Sequence, residues 1–352
     1  MLKAFTTYHL TVVVSFAGIL FLATACQFQS EKHDNSQVVS TGSQAVVVHE
    51  DYQPIVIDDI RPQTLNNLQR FFKEMNYSWK HLDEGVPPFI LGEFPQDLND
   101  SVHVPLKKQS FFMGILPMVL LANEEVQRER KILLELLEAH GSSKDLTQTE
   151  QQVLKNLAKK YRLRGNPLTD HRTRTRLISR IDTVPPSLAL AQAANESGWG
   201  SSRFAREGNN LFGEWTFKPG TGIVPNDRPP GEIYEVRKFS SLYDSVRSYL
   251  LNINTNPAYF DLRETRAQLR HQGLALTGKA LAAGLVRYST RGEAYVAEIK
   301  RMIRQNSLSR ANETKLREPS AIIQTAQQSS GNGLFSSRRL VSLQNSEVWQ
   351  NP

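Results

Sequence analysis

The stretch FFMGILPMVLLA, from Phe111 to Ala122, leaves little choice of surroundings. Phe111, Phe112, Ile115, Leu116, Val119 and Leu120 recur at helical spacing, and the residues between them offer little polar relief. A helix that is apolar on nearly all sides belongs inside a core, so the rest of the chain must build elements around it. Pro117 is expected to kink this helix, because proline removes one backbone donor and crowds the preceding turn. The pattern continues through NEEVQRERKILLELLEAHG to a stop at Gly141. Glu124 and Glu125 read as solvated helical carboxylates. LTQTEQQVLKNLAKKYRL is a second amphipathic helix. A third begins after DTVPP, where Pro185 and Pro186 suit a first helical turn whose N–H groups have no intrahelical partner anyway. The chain has 352 residues, 39% of them hydrophobic, which is enough for a sizeable core.

The two ends differ from this body. Lys3 precedes an apolar run from Leu10 to Ala25, shorter than the roughly 20 residues of a membrane span and closing on small residues. Cys26, the single cysteine, follows in LATAC, which resembles a bacterial lipobox. The expectation is a signal peptide over 1–25 and a lipidated Cys26, holding an exported protein on a membrane of the cell envelope. Gln27 after the cysteine points toward the outer membrane, on its periplasmic face. Residues 26–60 read as a polar tether with a short strand at Ala45–His49, and 311–352 as a disordered tail. The folded part is then 61–310. A net charge of +7 and a basic run between Arg128 and Arg180 suit an anionic polymer as well as a solvated helical face.

The third helix, SLALAQAANES, places Ala189, Gln192, Ala193 and Glu196 on one face. Gly198 and Gly200 end it, so Glu196 occupies its last turn. The C-terminal end of a helix carries partial negative charge, and Trp199, Phe212 and Trp215 are near enough in sequence to exclude water. Both effects favour the neutral carboxyl, which is the state a general acid needs. An ordinary ion pair with Arg203 or Arg206 is the alternative. Downstream, LFGEWTFKPGTGIVPNDRPPGEIYEVRKFSS reads as a small hairpin, Thr216–Val224 against Ile233–Phe239. Thr290 and Glu293 have the spacing of a capping box before a last helix. The plan is α+β: mostly helical, with a small β-hairpin lobe beside the presumed cleft.

The segments KKQSFFMGILPMVLLANEEV, VPPSLALAQAANESGWG, NNLFGEW, EVRKFSS, NTNPAYFDLR and RYSTRGEAYVAEIKRMI resemble the glucosaminidase family of peptidoglycan hydrolases, within it the Bax-like branch. The resemblance covers about 105–306. It implies a lysozyme-like fold and cleavage of the wall glycan at N-acetylglucosamine. It sets the catalytic acid on Glu196, a sugar-binding wall on Asn210, Leu211 and Phe212 with Trp215 beside it, and a cleft tyrosine on Tyr288. A second carboxylate on the hairpin falls on Glu232 or Glu235, which lie 36 and 39 residues after Glu196. Two other readings stay open: a lytic transglycosylase and a non-catalytic wall-binding lipoprotein. The histidines are scattered without metal-ligand spacing, and no cofactor or nucleic-acid partner is expected.

Overall fold

The computed structural model describes residues 55–100, 103–142, 145–318 and 335–341. The expected signal peptide, Cys26 and the strand at 45–49 lie outside them.

The apolar run lies within helix α2, Val104–Gly141, and every residue from Ser110 to Asn123 is buried. By length and composition α2 is able to cross a membrane, yet here it is the core helix against which the domain packs. It stays helical through Pro117, so the expected kink does not interrupt it. The two helices α3, Gln148–Lys160, and α4, His171–Arg180, pack against it. α3 starts on a capping box in which Thr147 and Glu150 satisfy each other's backbone N–H groups. Glu125 departs from the expectation of a solvated carboxylate. It is buried, accepting from Tyr243 Oη at 2.6 Å and from Arg247 Nε at 2.9 Å. The periodicity of α2 placed Glu125 near the surface, but helix α7, Leu242–Thr255, covers that turn.

Helix α5, Pro186–Ser197, is deeply enclosed, with every residue from Pro186 to Ala194 buried. Its approach is clamped from several sides. Asn123 donates to the Val184 carbonyl at 2.8 Å and accepts from the Val184 N–H at 3.0 Å. Arg266, on helix α8 (Phe260–His271), donates to the carbonyls of Asp182 and Thr183, and Asn254 donates to the Asp182 carbonyl as well. Burial alone raises the Asp182 carboxyl, but the Arg270 hydrogen bond and the charges of Arg266 and Arg130 hold it below the usual range. Side chains from α2, α7 and α8 therefore fix the start of α5, and with it the register of Glu196.

The end of α5 is a sharp reversal. Gly198, Trp199 and Gly200 all take left-handed φ, at 56°, 62° and 77°. Glycine adopts that conformation freely; Trp199 adopts it only because its surroundings insist. Its ring lies 5.1 Å from Phe112 and 6.0 Å from Phe111, under the Lys108 ammonium. Ser197 ties the turn, donating to the Ala193 carbonyl and accepting from the Gly200 N–H. Ser202 then caps the short helix α6, Arg203–Gly208.

Two small sheets complete the α+β plan. Strand β1, Ile55–Ile60, pairs in parallel with β2, Phe89–Leu91. The second sheet is not the simple hairpin expected. Residues 215–223 fold back on themselves, Thr216 and Thr221 bonding at 2.8 Å through their hydroxyls. They supply two short strands, β3 (Trp215–Thr216) and β4 (Gly222–Ile223), which flank a central β5, Glu235–Arg237. Strand β6, Phe335–Val341, lies antiparallel to β1. The folded part thus extends beyond 61–310 at both ends. Residues of the expected tail take part, since Arg317 donates to the carbonyls of Met75 and Gly85 and Leu316 bridges to Val86. The remaining helices are α1 (Leu65–Glu74), α9 (Gly278–Leu281) and α10 (Glu293–Gln305). The capping box at Thr290 does not form: α10 begins after Gly292, whose φ of 52° turns the chain there.

Candidate functional site

Glu196 is half-buried at the end of α5. Its Oε1 accepts from Tyr295 Oη at 2.7 Å and from Asn195 Nδ2 at 3.1 Å. Tyr295, on α10, is itself held by Gln192, which donates to the phenol oxygen at 3.0 Å. The other end of the Gln192 amide accepts from Tyr249 Oη at 2.6 Å. Gln192 is 0% exposed, so both ends of its amide need partners, and this chain supplies them. The donors all run one way, from Tyr249 to Gln192 to Tyr295 to Glu196. Such a chain strengthens each link and holds the carboxyl in one orientation. Burial, followed by the negative charge of Glu196, pushes the Tyr295 hydroxyl far above its usual range. Burial also pushes up the hydroxyls of Tyr249 and Tyr288. These phenols stay neutral donors.

An aromatic wall stands beside the carboxyl. Phe212 stacks on Tyr249 with ring centres 4.0 Å apart, and Tyr288 stacks on Tyr295 at 5.2 Å. Tyr259 lies 5.7 Å from Tyr288, whose hydroxyl donates to the Phe212 carbonyl. Tyr288 is partly exposed. Asn210, Leu211 and Phe212 do not present themselves as a ligand-contacting surface. Asn210 is 1% exposed and works on the backbone, donating to the carbonyls of Glu214 and Arg237 and accepting from the N–H groups of Phe212 and Glu214. Leu211 is fully buried. This segment builds the wall from behind. Trp215 is the reverse case: 55% exposed and stacked on Tyr234 at 4.5 Å, it offers a flat face to solvent. Flat rings suit the apolar C–H faces of sugars.

The two hairpin carboxylates have different settings. Glu235 is buried on the central strand and accepts from the N–H groups of Gly220 at 2.9 Å and Gly222 at 2.7 Å. The Gly220 bond, helped by that of Gly222, draws its carboxyl below the usual range. Glu235 is committed to closing the 218–222 turn. Glu232 is exposed in the loop that leads into β5.

Sequence reasoning passed over Glu214. Its Oε2 accepts from Ser248 at 2.7 Å, while Oε1 is buried with no hydrogen-bond partner. Burial raises this carboxyl to about 7, against the pull of Ser248, Arg237 and Arg162. Glu214 and Glu196 both bear electrostatically on Tyr259, so the two carboxyls flank the same tyrosine cluster. Nothing local in NNLFGEW announces this; Ser248 is 34 residues away.

Fold and site together define a helical domain that sets one half-buried carboxyl, oriented by a tyrosine, against an aromatic wall. The glucosaminidase family profile, described as mannosyl-glycoprotein endo-beta-N-acetylglucosaminidase, matches residues 175–308. Protein bax of Escherichia coli K12 is 34% identical over 189 residues, covering 54% of this chain and 66% of that protein. Peptidoglycan hydrolase FlgJ of Salmonella typhimurium LT2 is 31% identical over 140 residues, 36% of this chain and 43% of that protein. The match thus spans about two thirds of the first relative and less than half of the second. The catalytic domain of the autolysin Auto from Listeria monocytogenes is 22% identical, covering 49% of this chain and 94% of that domain at a TM-score of 0.29. Residues 175–308 form a glucosaminidase-family domain of the Bax-like branch.

Proposed function

We propose that the chain is a peptidoglycan hydrolase, an endo-β-N-acetylglucosaminidase that cuts the wall glycan at N-acetylglucosamine with Glu196 as general acid. The observation that carries this reading is the Glu196 carboxyl, fixed by Tyr295 at the edge of the stacked Phe212, Tyr249, Tyr288 and Tyr295 rings. The family match over 175–308 supports the substrate class. In this mechanism a sugar lies against the wall, Tyr288 and Trp215 contribute exposed ring surface, and Glu196 gives a proton to the leaving glycosidic oxygen. Water completes the hydrolysis at the anomeric carbon.

Activation of that water divides two readings. Glu235 is held by the Gly220 and Gly222 amides, which leaves Glu232 as the solvent-open hairpin carboxyl. The commitment of Glu235 favours, as a second reading, a transglycosylase route in which the sugar's own hydroxyl replaces water. Digestion of purified sacculi followed by mass analysis separates them. Hydrolysis is expected to yield reducible N-acetylglucosamine ends. Anhydro ends, one water lighter, would reject hydrolysis, and intact sacculi would reject both enzyme readings in favour of a wall-binding role.

The chain is further proposed to work in the cell envelope as a lipoprotein anchored through Cys26, since the apolar run ends in small residues at the single cysteine. Cys26→Ser is expected to move the protein from the membrane pellet to the soluble fraction. Full membrane retention of the variant would point to a different anchor.

A further inference from the structure

Arg162, Arg176, Arg180 and Arg263 gather on the flank of α4 and α8; Glu264 acts on Arg263 and Glu214 on Arg162, but among the described residues no carboxylate lies within ion-pair distance of any of the four. Arg180 donates to the carbonyls of Tyr161, at 2.6 Å, and Arg162. Arg176 and Arg180 are one helical turn apart, hence on one face of α4. Arg263, 4% exposed, is spent on the carbonyls of Ile253 and Asn256 at the end of α7. Burial, with the charges of Arg176 and Arg162 added, draws Arg180 below its usual range. Guanidinium groups held by carbonyls rather than carboxylates leave a local excess of positive charge. Arg162 and Arg176 are exposed.

The cluster adjoins the site. Asn256, whose carbonyl Arg263 holds, caps the turn Pro257–Tyr259, and the Tyr259 ring packs against Tyr288 of the aromatic wall. Arg162 is close enough to Glu214 to act on its carboxyl.

We propose that Arg162, Arg176 and Arg180 form an anion subsite beside the cleft that binds carboxylates carried by the glycan strand. The inference rests on the wall-glycan reading above. Arginine's planar fork matches a carboxylate with two parallel hydrogen bonds, and an incoming anion relieves the crowding of like charges. The amino sugars themselves are uncharged. The carboxylates of a substituted strand sit on its peptide stems; the lactyl carboxyl from which a stem hangs is tied up in an amide and is free only where the stem has been removed. The subsite therefore selects substituted strands over a plain N-acetylglucosamine polymer.

The test uses the full chain and the double variant Arg162→Gln/Arg176→Gln. Both residues are exposed and hold no backbone group through their side chains, and an unchanged thermal midpoint verifies folding. Binding to intact sacculi, to sacculi stripped of peptides by an amidase, and to neutral chitin oligosaccharides is measured at rising salt. The variant is expected to bind intact sacculi roughly tenfold more weakly, the effect of removing two modest charge interactions, with a shallower salt dependence. Chitin binding should not change. A loss confined to intact sacculi assigns the stem carboxylates; an equal loss on stripped strands, whose lactyl carboxylates are set free by removal of the stems, shows that the subsite accepts either carboxylate. Unchanged sacculus binding, or an equal loss on chitin, overturns the subsite. A wild-type chain that binds sacculi through these arginines without cutting them retains the subsite and removes the hydrolase reading.

Discussion

Glu196→Gln is expected to lower turnover of sacculi by about 10²–10⁴-fold, the usual contribution of a positioned general acid. The substitution keeps the side-chain shape, and the amide oxygen still accepts from Tyr295 as Oε1 does now at 2.7 Å. What it removes is the ability to release a proton. Thermal unfolding and sacculus pelleting should therefore match wild type, while release of soluble fragments nearly stops. A variant within tenfold of wild-type turnover would take the acid role away from Glu196. Loss of activity accompanied by a lowered melting point would leave the role undecided, and Tyr295→Phe then supplies the control. It removes the hydroxyl that orients Glu196 but leaves the carboxyl and the stack on Tyr288. Retention of partial activity in that variant, against none in Glu196→Gln, separates chemistry from positioning.

The second large effect concerns stability and pH. Glu214 titrates at about 7 in the fold against an ordinary 4.5. Below about 4.5 both folded and unfolded chains carry the proton, and the folded state has no disadvantage. Between about 4.5 and 7 the unfolded chain gives up its proton while the folded chain keeps it, so stability falls as pH rises. Above about 7 both forms are ionised and the loss is complete. One pKa unit corresponds to about 1.4 kcal/mol, so the whole loss is about 3 kcal/mol, somewhat less because the side chain is partly open to solvent. Glu214→Gln cannot ionise and should erase this component. Urea unfolding at pH 5 and pH 8 measures most of it: wild type should lose about 2 kcal/mol more than the variant between the two, since part of the loss has already occurred at pH 5. Parallel pH profiles would mean that the buried carboxyl carries no such penalty.

Much of the architecture was legible because it follows from local rules. The apolar run 111–122 reads as a core helix, and a proline start and glycine stop bracket α5 in the sequence itself. Glu196 falls in the last turn of α5 for the same reason. What was not legible depends on partners far along the chain. Tyr295 looks like an ordinary core position beside Val296, Ile299 and Ile303, and its bond to Glu196 spans 99 residues. One signal was available. Gln192 on an otherwise apolar helix face must satisfy its amide when buried, and tyrosines are suited to do so. The β lobe was misread because alternation predicts strands but not a segment that doubles back, and a central β5 then buries Glu235. Asn210 showed its residue type but not its purpose: side-chain amides near glycine suit a ligand and a loop latch equally well.

The one-way donor chain has a consequence for the symmetry of the Glu196 carboxyl. In free solution the two oxygens of a carboxyl are interchangeable. Here Tyr295 and Asn195 both donate to Oε1, which makes the pair chemically unlike. Oε1 is an anchor that already accepts two hydrogen bonds, which leaves Oε2 as the oxygen that would exchange a proton under the proposed general-acid role. A proton can leave and return there while every bond from Tyr249 onward stays in place. Under the proposed role the relay behind the carboxyl is thus a fixed backing rather than a moving part, and it would decide from which oxygen, and so from which side, a sugar is approached.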